Sequence, residues 1–282
     1  MTDYRYLKRR FINLFGQFLA LVATIFTLFW LGWLLWTLVS HGWQALGLNT
    51  FVMDTPPPGV EGGLRNAMVG SLLMCVTGVA IGAPVGVLAA TWLAEYGRGS
   101  RLAALIRFVN DVLLSAPSII LGVFIYGLVV VTTGGFSGWA GALALAMILV
   151  PVVVRTSEDI LVLVPDAMRE AAAALGAPRW RLIMTVVWRA ARGGMITGIL
   201  LGFARIAGET APLLFTALNN QFFNTDMGSA MANLPVVIFQ FAMSPYVDWQ
   251  QLAWGGALLI TVAILAINIV SRLVWHRKTG EK

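Results

Sequence analysis

The stretch FGQFLALVATIFTLFWLGWLLWTLV, Phe15 to Val39, holds no charged residue along its whole length. At about 1.5 Å per helical residue such a run crosses about 30 Å of hydrocarbon with some tilt. Arg5, Lys8, Arg9 and Arg10 precede it, which is the charge pattern of a secretory leader. The apolar run is nevertheless too long for a cleavable core, and no small-residue cleavage site closes it before Ser40-His41. It reads as a first spanning helix that is retained. The whole chain agrees: its 282 residues are 59% hydrophobic and only 11% charged, and its mean hydropathy is +0.81. A soluble domain carries about a quarter charged residues, so this chain cannot clothe a water-facing surface.

Five further apolar runs follow. The spacing predicts spans at about Asn66–Leu93, Leu105–Val131, Trp139–Leu161, Gly194–Leu218 and Leu252–Val274. The expected fold class is an all-α polytopic membrane protein with six transmembrane helices in one domain. Residues 1–14 form an N-terminal segment, 15–274 the membrane domain with an internal polar segment at about 162–193, and 275–282 a C-terminal tail. Lysine and arginine placement sets the orientation. The N-terminal segment has four basic residues, and further loops on the same face carry Arg98, Arg101, Arg169, Arg179, Arg181, Arg189 and Arg192. Arg272, at the end of the last span, and Arg277, Lys278 and Lys282 after it add to that face, while Arg65 alone lies on the opposite face. Both termini are therefore expected in the cytoplasm. The same distribution accounts for the net charge of +6, so nucleic-acid binding has no remaining support.

Several chemistries lack their residues. Lysine occurs only at positions 8, 278 and 282, so no Gly-Lys-Ser/Thr phosphate-binding loop exists. The chain cannot hydrolyse nucleotide itself. Histidine occurs only at His41 and His276, at the membrane edges or outside, which argues against a histidine-based metal site or an intramembrane hydrolase. Cys75 is the sole cysteine and reads as a buried structural thiol. No cofactor or metal is expected. Pro84, Pro117, Pro151 and Pro212 sit in or near apolar runs, where breaks are tolerated if neighbouring helices or a cavity satisfy the freed backbone groups.

The polar segment contains Pro165-Asp166-Ala167-Met168-Arg169-Glu170-Ala171-Ala172-Ala173-Ala174-Leu175-Gly176-Ala177-Pro178. Pro165 suits a first helical turn, Asp166 complements the positive end of the helix dipole, alanines propagate the helix, and Gly176 can cap it. Residues of this kind suit a short helix that a groove on another protein accepts. They equally suit an ordinary loop whose arginines follow the positive-inside rule.

Glu170-Ala171-Ala172 followed by Gly176 resembles the EAA loop of ABC importer permeases, the coupling helix that docks on the cytoplasmic ATPase in that family. The Ile-x-Leu-Pro ending of the motif is replaced here by Val186, Trp188 and Arg189. A wider resemblance, over nearly the whole chain, is to the PstA family of phosphate permeases. It rests on Thr55-Pro56-Pro57-Pro58, Leu93-Ala94-Glu95-Tyr96-Gly97-Arg98, Phe108 to Ser118, Ala204-Arg205-Ile206-Ala207-Gly208-Glu209-Thr210-Ala211-Pro212 to Phe215, and Ser244-Pro245-Tyr246. The resemblance implies a type I ABC importer permease in the bacterial cytoplasmic (inner) membrane. Its implied partners are a second permease of PstC type, two copies of an ATPase of PstB type and a periplasmic phosphate-binding protein of PstS type. Phosphate is the implied cargo; molybdate or sulfate transport, or sensing of phosphate without transport, are the alternatives.

Arg205 is the principal candidate for the substrate path. It is expected about 16 Å into the fifth span, where a charge costs at least a few kcal/mol and should face a cavity or a partner. A guanidinium fork matches phosphate oxygens. Glu209, four residues on, would hold Arg205 when no anion is present and accept a hydrogen bond from a protonated phosphate oxygen. A self-contained Arg205–Glu209 packing pair is the alternative. Arg155, with Glu158 and Asp159 at i+3 and i+4, is a second path candidate or a snorkelling interfacial arginine. Asp111 is open to both kinds of reading.

Overall fold

The computed structural model describes the backbone of residues 2–279 and the side chains of residues 4–269. Arg272, His276, Arg277, Lys278 and Lys282, placed above in or beside the C-terminal tail, lie outside the described side chains. Among the described residues the ordered elements are helices. The principal ones are α1 (Thr2–Ala45), α2 (Arg65–Tyr96), α3 (Arg101–Ser115), α4 (Ser118–Thr133), α5 (Gly138–Val162), α6 (Asp166–Ala174), α7 (Arg179–Ala207), α8 (Ala211–Thr216), α9 (Leu234–Ala242) and α10 (Val247–Thr279). Five are long and apolar enough to cross a membrane, and α3 with α4 makes a sixth span bent by 103°. The chain is a multi-pass membrane protein.

Two expected spans are broken. The third, expected as one helix from Leu105 to Val131, stops at Ser115 and restarts at Ser118. Pro117 drives Ala116 out of the helical region, and Ala116 is extended at φ −67°, ψ 136°. The fifth, expected over Gly194–Leu218, instead runs from Arg179 to Ala207 and stops at Gly208. Pro212, which cannot continue a helix but suits a first turn, then helps start the short α8. Polar caps fix other starts: Ser100 Oγ accepts from Ala103 N, Ser137 Oγ from Ala140 N, and Asn233 Oδ1 from Val236 N.

Helix α5 is the central element, with Leu145, Leu149 and Val153 fully buried. Lipid tails are as apolar as leucine, so helices associate through close approach rather than through the hydrophobic effect. Two small-residue stripes at four-residue spacing supply that approach. Gly78, Gly82 and Gly86 of α2 face Ala142, Ala146 and Val153 of α5, where an added methyl would lie 3.1, 3.0 and 2.8 Å from its nearest neighbour. Gly194, Gly198 and Gly202 of α7 face Ile160, Thr156 and Leu149 from the other side. The result is a tight three-helix core. In contrast, every described side chain of α1 from Tyr4 to Trp36 is exposed, including Phe26, Trp30 and Trp33. A helix that apolar and that bare has lipid or another membrane subunit as its solvent. Its C-terminal end rests on α10, where the His41 and Trp254 rings lie 5.1 Å apart.

Candidate functional site

The polar segment between α5 and α7 forms a short rod against the helix core. Asp166–Ala174 is helical for nine residues, with Pro165 as the residue before the first turn and Asp166 in it. Gly176 adopts φ +79°, the left-handed conformation that closes a helix and that glycine reaches without steric cost. No residue of α6 is buried; Glu170, Ala171, Met168 and Leu175 are exposed, while Ala172 leans on the core cluster of Ala90, Ala94, Leu161 and Val164. Glu170 and Ala171 are therefore exposed on this short helix and Gly176 just past its end, while Ala172 faces the core.

Arg169 fastens that element. Its Nη2 donates to Glu95 Oε1 at 2.7 Å and to the Leu161 carbonyl at 2.9 Å, and its Nη1 donates to the Val164 carbonyl and to Asp166 Oδ1 at 3.1 Å. The guanidinium thus joins the end of α2, the last carbonyls of α5 and the first turn of α6. The hydrogen bond to Glu95 raises the Arg169 guanidinium above its ordinary value, against the opposing cost of burial. Arg179 adds a hydrogen bond to the Glu95 carbonyl and stacks over Tyr96 at 4.5 Å from the ring centre. Arg98 reaches Asp166 at 3.4 Å. In the sequence Glu95 figured only within the Leu93 to Arg98 stretch; its partner lies 74 residues away, a distance no local spacing reveals.

A second group of charges links α3 to α5. Arg155 lies 3.5 Å from Asp159, as i,i+4 spacing predicts, and 3.8 Å from Asp111 across the helix pair. Glu158, the other expected partner of Arg155, instead accepts from Arg107 Nε at 2.7 Å. Glu158 is buried and Arg107 was not singled out in the sequence, although a lone arginine just inside an apolar run is the signal for such a pairing. Asn110 Nδ2 donates to the Pro151 carbonyl one turn away.

Arg205 stands in the last turn of α7, exposed, at the break in the fifth span. Glu209 lies beyond the helix end, so it is not one turn up the same face as expected. Among the described residues no ion pair forms within 4.0 Å between the two, and Arg205 has no acidic partner. The cation sits about 20 Å along the helix from Arg192, the last arginine of the polar segment. Because Gly198 packs on Thr156, Arg205 is displaced from the level of Arg155 by about 10 Å along the helix axis, towards the C-terminal end of α7. The structure does not bring the two arginines into one cluster. Immediately beyond the break, Pro212 of α8 meets Gly122 of α4, so the second halves of both broken spans touch.

Known proteins with this sequence pattern are transport components. Residues 82–277 match the family model described as "binding-protein-dependent transport system inner membrane component". The phosphate transport system permease protein PstA of Pasteurella multocida is 56% identical over 86% of this chain and 87% of its own length. PstA of Xylella fastidiosa (strain 9a5c) is 52% identical over 98% of this chain and 96% of its own. Among solved structures, a bacterial alginate ABC transporter chain aligns over 93% of both chains at TM-score 0.65 and 15% identity. A chain of the inward-facing MetNI methionine ABC transporter aligns over 75% of this chain and 92% of its own at TM-score 0.59 and 18% identity. At those identities the structural likeness is one of fold. From the family match and the sequence identities, the chain belongs to the binding-protein-dependent transport system inner membrane components and, within them, to the PstA phosphate permeases.

Proposed function

We propose that this chain is the membrane-spanning subunit of an ATP-driven phosphate importer in the cytoplasmic membrane, with both termini inside the cell. It forms half of the translocation path, the other half coming from a second permease of PstC type. A separate ATPase dimer of PstB type hydrolyses nucleotide and grips α6 through Glu170, Ala171, Ala172 and Gly176. A periplasmic phosphate-binding protein of PstS type delivers the anion from outside. The cargo reading is supported by the phosphate named for relatives at 52–56% identity.

Arg205 carries the mechanistic part of the reading. A cation with no acidic partner among the described residues, at the point where a span breaks, suits transient contact with a passing anion. Its planar fork binds two phosphate oxygens at once and stays charged at all physiological pH values, so mono- and dianion are both accepted. Glu209, off the helix end, is free to accept a hydrogen bond from a protonated phosphate oxygen, which sulfate lacks at neutral pH. Arg155 lies further in, held by Asp111 and Asp159, and would meet the anion on the way to the cytoplasm.

Uptake of labelled phosphate by the reconstituted complex tests the reading. Arg205→Lys keeps the charge but loses the fork, and should cut uptake about tenfold, the loss of roughly 1.4 kcal/mol. Glu209→Gln should lower uptake and weaken discrimination against unlabelled sulfate or molybdate. Wild-type rates in both variants would remove the anion-site role.

A further inference from the structure

We infer that the Glu95–Arg169 pair is the mechanical joint between the docking helix α6 and the spanning helix α2, making Glu95 a positioning residue for coupling. The inference rests on the reading of α6 as the ATPase contact. Its own support is the way α6 is attached. A helix with no buried residue is held to the membrane domain by few polar contacts: Arg169 reaches Glu95 in the last turn of α2 and the carbonyls of Leu161 and Val164, and Asp166 meets Arg98 just past that turn. Glu95 and Arg169 are the most buried ion pair of the described residues, with side chains 5% and 12% exposed. Arg169 cannot shift with α6 without dragging Glu95 or stripping the carbonyls of Leu161 and Val164 of a donor.

The receiving end is equally constrained. Trp92–Tyr96 is a widened π-helical turn in which Leu93, Ala94 and Glu95 are all buried. From there α2 runs as one helix back to Arg65, locked against α5 by its glycine stripe. At its outer end the Asn66 side chain donates to the Asn220 and Gln221 carbonyls and accepts from Thr55 N. A displacement applied at Glu95 is thereby delivered to the loop on the opposite face. Had Arg169 served only to cap α5, its bonds to Leu161 and Val164 would suffice and Glu95 would have no role.

The test uses the complete importer with its ATPase, second permease and binding protein in liposomes, and reads ATP hydrolysed per phosphate moved. Docking is followed in parallel by cross-linking Ala173→Cys on α6 to a cysteine on the ATPase; Cys75 is buried and does not compete. Glu95→Gln should preserve the cross-link and basal hydrolysis while raising ATP spent per phosphate at least fivefold. Glu95→Asp, which keeps the charge, should restore the ratio to within about twofold. A cross-link with an unchanged ratio in Glu95→Gln overturns the joint and leaves docking intact. No cross-link in the otherwise unaltered complex overturns the docking reading, and the joint with it. If Glu95→Gln does not assemble, Arg169→Lys decides by the same ratio: it keeps the charge but cannot span the two helix ends. A raised ratio supports the joint and an unchanged one overturns it.

Discussion

Gly122 is where the two broken spans meet, and replacing it by alanine should separate them. A methyl there would lie 2.5 Å from Pro212 Cα and 3.1 Å from both its Cβ and its carbonyl oxygen. Ordinary carbon contacts begin near 3.5 Å, so one helix must retreat by about 1 Å. Neither side can yield by rotating a side chain: the obstacle is backbone, and Pro212 is a buried, rigid ring. Overpacking of this kind costs about 1–3 kcal/mol, offset by about 0.5–1 kcal/mol that alanine gains over glycine in a helix. The net loss lies between about 0 and 2.5 kcal/mol, centred on about 1 kcal/mol, a factor of roughly 5–10 in the folded population. Gly127 on the continuation of the same helix is the control, because a methyl there meets nothing within 4 Å. Thermal unfolding of the purified permease and phosphate uptake by the full complex are the two assays. Gly122→Ala should melt lower than Gly127→Ala and transport less, since the contact adjoins the break that carries Arg205. Equal melting and equal uptake in the two variants would refute the claim that this backbone contact positions the break.

Arg107→Leu leaves the Glu158 carboxylate buried without its partner and should destabilise the permease by on the order of 2 kcal/mol. That is below the 3–5 kcal/mol of a fully enclosed pair, because the Arg107 side chain is 38% exposed. Arg155→Leu breaks two longer contacts between side chains more than half exposed and should cost under about 1 kcal/mol in the same unfolding assay. Gly176→Ala forces a side chain into a left-handed conformation at about 1–2 kcal/mol. It should lower the amount of ATPase that co-purifies with the permease several-fold, and Gly176→Asn, which tolerates that conformation, should recover most of it.

Spans bounded by a change in composition were legible. The second was expected at Asn66–Leu93 and is Arg65–Tyr96; the fourth was expected at Trp139–Leu161 and is Gly138–Val162. Breaks inside apolar runs were not located, because hydropathy does not change where the backbone turns. Pro117 and Pro212 marked both places, yet a proline alone does not distinguish a kink from a stop: Pro84 and Pro151 remain inside continuous helices. The start of the fifth span was misplaced for the opposite reason. Arg179, Arg181, Arg189 and Arg192 make the start of the helix polar, and a polar helical stretch has no apolar signature.

Charge pairing divides along the same line. Arg155 and Asp159 are neighbours on one helix face, so their contact follows from spacing alone. Arg107 with Glu158 and Arg169 with Glu95 join separate helices, and only the packing of α3 on α5 and of α6 beneath α2 brings them together. Arg205 illustrates how a backbone break alters the meaning of a charge. In an unbroken span, Glu209 would have neutralised it one turn on, and the pair could have been no more than packing. With the helix ending at Ala207, the last carbonyls favour the cation by about 0.3–1 kcal/mol, short of the few kcal/mol that an unpaired charge costs in hydrocarbon. The remainder has to come from water, from an anion or from a neighbouring protein. The same break that removes the internal partner is therefore what leaves Arg205 available to an external one.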